Sequence, residues 1–268
     1  GKKFVLDWAR GAACSVAPRV VRRLGAEVIA LCSRPDGARI NEKCGALHPA
    51  AMRAAVIETG ADAGFCYDGD ADRLIAADER GSLVDGDKIL YALAADLQAR
   101  GKLPGSLAVG TAHTNAGVER ALAERGIRLL RTDVGDKYVA DAMRRTGAAV
   151  GGEQSGHVIL ADYAVTGDGV LTSLRLAALL QGAPLSALTR VRLFPQYNVS
   201  VKVKDKVRVL GSERVQAAIE AEKASVSRIV VRASGTEPVV RIFAEAESLR
   251  TARAAAERVR AEIVRSEV

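Results

Sequence analysis

Short apolar runs alternate with segments of helical periodicity over the first 190 or so residues of the chain. Runs such as KFVLDWA (3–9) and ADAGFCYD (61–68) are predicted to be strands, because they are apolar, short and bounded by turn residues. HPAAMRAAVIETG (48–60) spaces its apolar residues three and four apart and ends at glycine, which is typical of a helix. Strands that alternate with helices favour parallel βαβ units.

The remaining elements of this region continue the alternation. Further strands are predicted at 26–31, 105–112 and 127–134. Further helices are predicted at 17–25, 85–101, 115–126 and 167–182, and the segments DKYVADAMRRTG (136–147) and AAVGGE (148–153) precede the last of them.

The pattern changes near residue 190, where FPQYNVSVKVK (194–204) alternates with the period of two that is typical of antiparallel strands. Two more strands, joined by a tight turn, and two helices are predicted after it, at 227–234, 239–247, 214–223 and 248–264. The overall prediction is an α/β protein. It has two α/β domains with mixed sheets, at 1–82 and 83–191, followed by a smaller α+β C-terminal domain at 192–268.

Composition narrows the function classes. The chain has 268 residues and a formal net charge of +7, and only 4% of its residues are aromatic. The basic residues are dispersed and aromatic stacking platforms are scarce, so we expect no nucleic-acid partner. The densest basic run, Lys202 to Arg208, is most simply interpreted as an exposed strand edge. The positive charge would equally suit an anionic small substrate.

Cysteine usage indicates the compartment. Four cysteines lie in the first quarter of the chain, none of them in a C-x-x-C pair: Cys14, Cys32, Cys44 and Cys66. In a chain of this length the pattern is typical of reduced thiols in a cytoplasmic protein and not of a disulfide framework or a zinc site. The apolar runs are too short to cross a bilayer, so no membrane partner is expected.

The segment FCYDGDADRLIAAD (65–78) places Asp68, Asp70 and Asp72 at alternate positions. In extended backbone such residues point to one side, so their carboxylates can converge on a hard cation, Mg²⁺ above all. An EF-hand loop is disfavoured, because its sixth position would be Arg73 and not glycine. A phosphatase with a nucleophilic aspartate is also disfavoured, since its D-x-D-x-T/V signature is not matched. An ordinary acidic turn at a strand end stays open.

Two further loops carry polar residues that suit a phosphorylated sugar. VGGEQSGHVIL (150–160) offers Glu153, Ser155 and His157, and a carboxylate with a hydroxyl can bind vicinal sugar hydroxyls. VVRASGTEPVVRIFAE (230–245) offers groups that suit a phosphate dianion, namely Arg232, Ser234, Gly235, Thr236 and Arg241. A polar turn and a hairpin with incidental arginines are the alternatives.

Together and in this order, DGDADR, GEQSGH and RASGTEPVVR resemble the metal, sugar and phosphate loops of the α-D-phosphohexomutase superfamily, over the whole chain. The resemblance implies phosphohexomutase-type domains 2 and 3 followed by the C-terminal phosphate-binding domain. It implies that Asp68, Asp70 and Asp72 bind Mg²⁺ and that Arg73 is catalytic. Glu153, Ser155, His157 and Lys137 would contact a phosphorylated hexosamine, and the five residues of the third loop would hold its non-reacting phosphate.

GEQSGH and VGDKYV (134–139) most resemble the phosphoglucosamine mutase branch, which interconverts glucosamine 6-phosphate and glucosamine 1-phosphate on the way to UDP-N-acetylglucosamine. The phosphomannomutase/phosphoglucomutase branch is the alternative. The superfamily's first domain carries a phosphoserine donor in a serine-histidine-asparagine-proline loop, which has no counterpart here. We therefore expect domains 2 to 4 of a longer or cleaved mutase, inactive alone. A non-catalytic phosphosugar-binding module and a homodimer remain open.

Overall fold

The computed structural model describes residues 1–23, 25–235 and 237–267, and these divide into two compact units at residue 191. The first unit contains two sheets and the second contains one. None of the helices in these described ranges is both long and apolar enough to cross a bilayer. The predicted α/β class with mixed sheets is confirmed.

The first sheet of the first unit has the strand order β2-β1-β3-β4-β5. Its strands are β1 (Lys3–Asp7), β2 (Glu27–Leu31), β3 (Ala63–Tyr67), β4 (Leu74–Asp78) and β5 (Leu83–Val84). It is accompanied by the helices α1 (Ala13–Arg23) and α2 (Ala50–Thr59). β1 pairs in parallel with β2 and β3, whereas β3 and β4 are antiparallel. β3 and β4 are buried along their whole length, so the turn between them projects from the core of the sheet.

The second sheet has the order β7-β6-β8-β9. Its strands are β6 (Leu107–Thr111), β7 (Arg128–Thr132), β8 (Val150–Gly152) and β9 (Val158–Leu160). The helices of this region are α3 (Gly86–Ala99), α4 (Ala116–Ala123), α5 (Asp136–Thr146), α6 (Gly169–Leu179) and α7 (Leu185–Leu188). β7, β6 and β8 are parallel, so their carboxyl ends lie at one edge, where α/β proteins place their ligands.

The second unit folds a three-stranded antiparallel sheet, in the order β10-β12-β11, against two longer helices. Its elements are β10 (Gln196–Lys202), α8 (Lys206–Leu210), α9 (Glu213–Lys223), β11 (Arg228–Ala233), β12 (Val239–Glu245) and α10 (Leu249–Glu267). Apolar residues of β12 and α10, such as Ile242 and Val259, form its core. Small and branched side chains fill the space between helix and sheet.

Most predicted elements are present within a few residues of their expected ends, with two instructive differences. The prediction of a strand edge across Lys202 to Arg208 is wrong for its second half. Asp205 accepts hydrogen bonds from the backbone N–H groups of Val207 and Arg208, and this cap starts α8 at Lys206. The sequence also did not reveal β4, which directly follows the acidic loop.

Candidate functional site

The acidic segment 68–73 forms the turn between two buried antiparallel strands. Tyr67 and Leu74 are paired across β3 and β4 and close the base of this turn. The backbone N–H of Arg73 donates to the Asp68 carboxylate at 3.1 Å, which folds the turn back on itself. The loop is thus held by the sheet beneath it and by its own first carboxylate.

The three aspartate side chains of this turn converge. Carboxylate oxygens of Asp68, Asp70 and Asp72 all lie within 4.8 Å of one another. Burial, together with the neighbouring carboxylates of Asp72 and Asp70, raises the pKa of Asp68 to about 7. Asp72 Oδ1 is buried and accepts no hydrogen bond from the described part of the chain. A buried, unused oxygen in a cluster of carboxylates fits a hard divalent cation such as Mg²⁺.

Arg73 supplies the positive charge of the loop. Its Nε lies 3.7 Å from Asp68 Oδ2 and 3.8 Å from Asp72 Oδ1, beyond ordinary hydrogen-bond lengths. Nε is buried and has no hydrogen-bond acceptor among the described residues, although 44% of the side chain is exposed. The guanidinium therefore offsets part of the negative charge and keeps donors for an incoming anion.

The GEQSGH loop, the turn between β8 and β9, is fastened to the acidic loop. The Leu74 N–H donates to the Gly156 carbonyl at 3.0 Å, so the start of β4 pairs with this turn. Gly156 has a φ of +97°, and a Cβ there would lie 2.3 Å from the Leu74 carbonyl oxygen. Glycine at position 156 is what allows the two loops to approach.

His157 is buried, and both of its ring nitrogens have partners. Nδ1 lies 3.0 Å from Asp72 Oδ2, and Nε2 accepts a hydrogen bond from the Gly167 N–H at 3.0 Å. Because Nε2 acts as an acceptor, the ring proton is on Nδ1 and is donated to Asp72. The sequence predicted a substrate contact here. The structure places His157 against a carboxylate of the acidic loop as well.

A cavity of about 470 Å³ lies over the carboxyl ends of β6, β7 and β8. Its described lining residues are Asp72, Arg73, Thr111, His113, Val134, Gly135, Asp136, Glu153, Gln154, Ser155 and His157. Thr111 and His113 were missed from the sequence. Their signal is positional, because TAHTN directly follows β6 at the edge where parallel strands place ligand-binding loops.

The predicted sugar-binding residues differ in how close they come to this cavity. Ser155 is exposed on its wall. Glu153 also lines it, while its Oε1 accepts a hydrogen bond from the Gly135 N–H at 3.0 Å. Lys137 is not among the described residues of the wall. Lys137 directly follows the lining Asp136, and its Nζ lies 4.7 Å from the ring centre of Tyr138.

The predicted phosphate loop belongs to the second unit, at the turn between β11 and β12. Arg232 and Arg241 are directly opposite each other on these strands, and both are exposed. Like charges in opposed positions repel unless an anion lies between them. Arg241 also pairs with Glu237 at 2.5 Å. Glu237 therefore offsets part of the positive charge that the loop concentrates.

The turn itself is ordered by Ser234, which is buried. Its Oγ accepts a hydrogen bond from the Glu237 N–H, and Lys206 Nζ donates to the Ser234 carbonyl at 2.7 Å. Lys206, at the start of α8, is a second cation that the sequence analysis did not connect with this loop. A Cβ at Gly235 would meet open space, and Thr236 lies outside the described residues.

Three family models match almost the whole chain. They are the phosphoglucomutase/phosphomannomutase alpha/beta/alpha domain II over 1–81, the alpha/beta/alpha domain III over 85–197 and the C-terminal domain over 198–263. The described loops fall one in each match, in the predicted order.

Curated relatives agree. The chain is 47% identical over 274 aligned positions to a phosphoglucosamine mutase from Symbiobacterium thermophilum, covering 100% of this chain and 61% of the relative. It is 49% identical to one from Heliobacterium modesticaldum, covering 91% of this chain and 54% of the relative. The chain therefore spans somewhat more than half the length of these relatives.

Solved structures share the fold. A phosphoglucomutase/phosphomannomutase family protein from Burkholderia thailandensis matches with a TM-score of 0.79 and 25% identity, over 99% of this chain and 60% of that one. An Aspergillus fumigatus N-acetylphosphoglucosamine mutase, in complex with GlcNAc-6P and magnesium, matches with a TM-score of 0.74 and 22% identity, over 100% and 62%. The chain belongs to the phosphoglucomutase/phosphomannomutase family and carries its domains II, III and IV.

Proposed function

We propose that this chain forms the metal-, sugar- and phosphate-binding part of a phosphoglucosamine mutase. The reaction would interconvert glucosamine 6-phosphate and glucosamine 1-phosphate. The observation that carries the proposal is the convergence of Asp68, Asp70 and Asp72 beside a cavity lined by Glu153 and Ser155. The names of the relatives at 47–49% identity support the glucosamine branch over the phosphomannomutase/phosphoglucomutase branch.

The acidic loop is the proposed Mg²⁺ site. Asp68, Asp70 and Asp72 would supply its carboxylate ligands, and Asp72 Oδ1, which accepts no hydrogen bond from the described residues, is available for one of these bonds. A Mg²⁺ ion held by these carboxylates would offset negative charge on the phosphoryl group that is transferred. The magnesium named with the Aspergillus fumigatus structure supports this assignment.

Each remaining site residue has a proposed role that follows from its chemistry. Arg73 binds oxygens of the transferring phosphoryl group, because its Nε donor is unused by the described residues. Glu153 and Ser155 bind sugar hydroxyls from the cavity wall, His157 orients Asp72, and Lys137 contacts the sugar from the rim. The non-reacting phosphate is proposed to bind to Arg232, Ser234, Gly235, Thr236 and Arg241 of the second unit.

The phosphoryl donor is proposed to be a phosphoserine of a further domain, so that the present chain alone does not turn over. We propose domain limits of 1–82, 83–191 and 192–268, and a cytoplasmic location. These limits leave each of the three loops in a domain of its own. Because the proposed donor lies in a further domain, activity must be assayed with the complete gene product.

The test is to assay the complete gene product with glucosamine 6-phosphate, Mg²⁺ and a hexose bisphosphate activator. We expect turnover that falls at least about 100-fold in Asp70→Asn, because a direct metal ligand is lost. Asp70 is exposed, so this substitution leaves the fold intact. Asp162→Asn, which also removes an exposed carboxylate, is the matched control and should retain activity.

The substrate comparison decides the branch. Faster turnover of glucose or mannose phosphates than of glucosamine phosphates would overturn the proposed substrate. If the protein binds these sugar phosphates but turns over none of them, the proposed enzymatic function is wrong and a phosphosugar-binding module is favoured. Turnover by residues 1–268 alone would contradict the need for an external serine.

A further inference from the structure

A second group of potential ligands lies in the first unit, outside the acidic loop. All four cysteines are free thiols. Cys32 directly follows β2, and Asp7 ends β1. Cys44, which precedes a short turn of helix, comes close to both: one ligand atom from each of Asp7, Cys32 and Cys44 lies within 4.8 Å of the others. Residues far apart in sequence thus meet at the carboxyl edge of the first sheet.

Asp7 fixes the geometry of this group. Its side chain is completely buried, and its two oxygens accept hydrogen bonds from the Ala9 and Gly45 N–H groups, both at 3.0 Å. Gly45 has a φ of +71°, and a Cβ there would lie 2.5 Å from the Tyr67 carbonyl oxygen. The neighbouring Cys44 is therefore held beside Asp7 by a backbone that has little freedom to move.

The surroundings of the group keep its thiols protonated. Burial and the charge of Asp7 raise the pKa of Cys32 to about 12, and Arg10 opposes this only in part. Burial and Asp7 also raise the pKa of Cys14 and Cys66. A cation bound by these sulfurs would therefore have to displace their protons.

We propose that Asp7, Cys32 and Cys44 form a binding site for a borderline or soft divalent cation of the zinc class, separate from the Mg²⁺ loop. Two sulfurs and one carboxylate are a donor set for Zn²⁺ or Cd²⁺, whereas Mg²⁺ prefers oxygen. With Zn–S bonds of about 2.3 Å, tetrahedral ligands lie roughly 3.5–3.8 Å apart. The ligand atoms, which lie within 4.8 Å of one another, therefore need only small side-chain movements to reach this spacing, and water would complete the fourth position.

The proposed site adjoins the acidic loop through the backbone. The Ala12 N–H donates to the Gly69 carbonyl at 2.8 Å, and a Cβ at Gly69 would lie 2.5 Å from Ile40. The segment between Cys32 and Cys44 therefore packs on the loop that holds the three aspartates. A cation that joins this segment to β1 would stiffen one wall of the acidic loop.

The experiment is a Cd²⁺ titration of the reduced chain under argon, following the thiolate-to-cadmium charge-transfer absorption. We expect saturation at one Cd²⁺ per chain, displacement by Zn²⁺ and no displacement by millimolar Mg²⁺. Cys32→Ser and Cys44→Ser should each weaken Cd²⁺ binding by at least about 100-fold. Cys32 is only half-buried, so its variant remains informative even if Cys44→Ser fails to fold.

Two controls locate the cation. Cys66→Ala removes a buried thiol that packs with Val5 and Ile75 and lies outside the ligand group, so it should retain the band. Asp70→Asn alters the acidic loop and should also retain it. The proposal is overturned by an absent band, by a band that Cys32→Ser leaves unchanged, or by its loss in Cys66→Ala or Asp70→Asn.

Discussion

Asp72 and His157 are 85 residues apart in sequence, yet Asp72 Oδ2 and His157 Nδ1 lie 3.0 Å from each other. The Gly167 N–H donates to the other ring nitrogen, which fixes the tautomer that donates to Asp72. A histidine from the GEQSGH loop therefore sets the orientation of a carboxylate in the acidic loop. This hydrogen bond and the Leu74–Gly156 backbone bond join the two loops.

The first prediction concerns this orientation. His157→Ala should weaken Mg²⁺ binding about 10- to 100-fold, because the partner that holds Asp72 is lost. His157→Asn should restore much of the affinity, since its side-chain amide can donate from nearly the same place. Calorimetric titration of the chain with Mg²⁺ measures both. His48→Ala, at an exposed histidine, is the control, and unchanged affinity in His157→Ala would contradict the assigned role.

The second prediction concerns the close approach of the loops. Gly156→Ala should destabilise the chain by about 3 kcal/mol, from left-handed strain together with the collision with Leu74. Gly126→Ala also places alanine at positive φ, but its Cβ meets nothing within 4 Å. That control should cost only about 1 kcal/mol. Urea unfolding compares the two, and equal losses would show that the approach at Gly156 is not tight.

The third prediction concerns pH and the second unit. Arg258 donates to both carboxylate oxygens of Glu222, at 2.5 and 2.7 Å, and Ser225 donates a third hydrogen bond. These hydrogen bonds, with that of Arg258 first, hold the pKa of Glu222 below its usual value of 4.5. The pair therefore contributes stability above about pH 4.5 that is lost as the pH falls through the lower, folded-state pKa.

Glu222→Gln should accordingly cost about 1–2 kcal/mol at pH 7, since Arg258 is half-exposed and the pair is partly screened. The difference from the parent should shrink as the pH falls below 4. Urea unfolding at several pH values measures it. Glu220→Gln, at an exposed pair with Lys223 on the same helix, should change stability by less than about 0.5 kcal/mol at any pH. A pH-independent loss in Glu222→Gln would contradict the ionic explanation.

The fourth prediction concerns the opposed arginines of the second unit. Inorganic phosphate at ten times its dissociation constant should stabilise the chain by about 1.4 kcal/mol, because it relieves the repulsion between Arg232 and Arg241. Thermal unfolding with and without phosphate measures this shift. Arg232→Ala should abolish it, whereas Arg250→Ala, at an exposed arginine of α10, should keep it. A shift of equal size in all three proteins would indicate nonspecific salt stabilisation.

Periodicity located most helices and strands, because burial of one face imposes a local repeat on the sequence. It failed where elements are short or lack such a repeat. β9 has three residues and lies after a polar turn. α8 has the alternating sequence KVRVL, which is typical of a strand. Its helical start depends on the Asp205 cap, a signal that was present in the sequence but was outweighed by the alternation.

Some residues of the candidate site could likewise be predicted from the sequence, and others could not. The motifs themselves named the aspartates, Glu153, Ser155 and the arginines, because their chemistry is visible in short loops. Thr111 and His113 carry no motif, and only the parallel order of β7, β6 and β8 brings them to the same cavity. Membership of the family, predicted from the three motifs, is confirmed by the matches to its domains II, III and IV.

The sequence by itself determined the α/β class, the order of the three loops and the family, since each depends on local periodicity or on residues within one loop. Only the tertiary structure decided that His157 donates to Asp72 and that Asp7, Cys32 and Cys44 form one group. The physical reason is that such contacts depend on strand order and register. The parallel pairing of β1 and β2 brings Asp7 and Cys32 to one edge of the first sheet. The contact of Asp72 with His157 instead joins turns that belong to two different sheets, and spacing along the chain carries no trace of either contact.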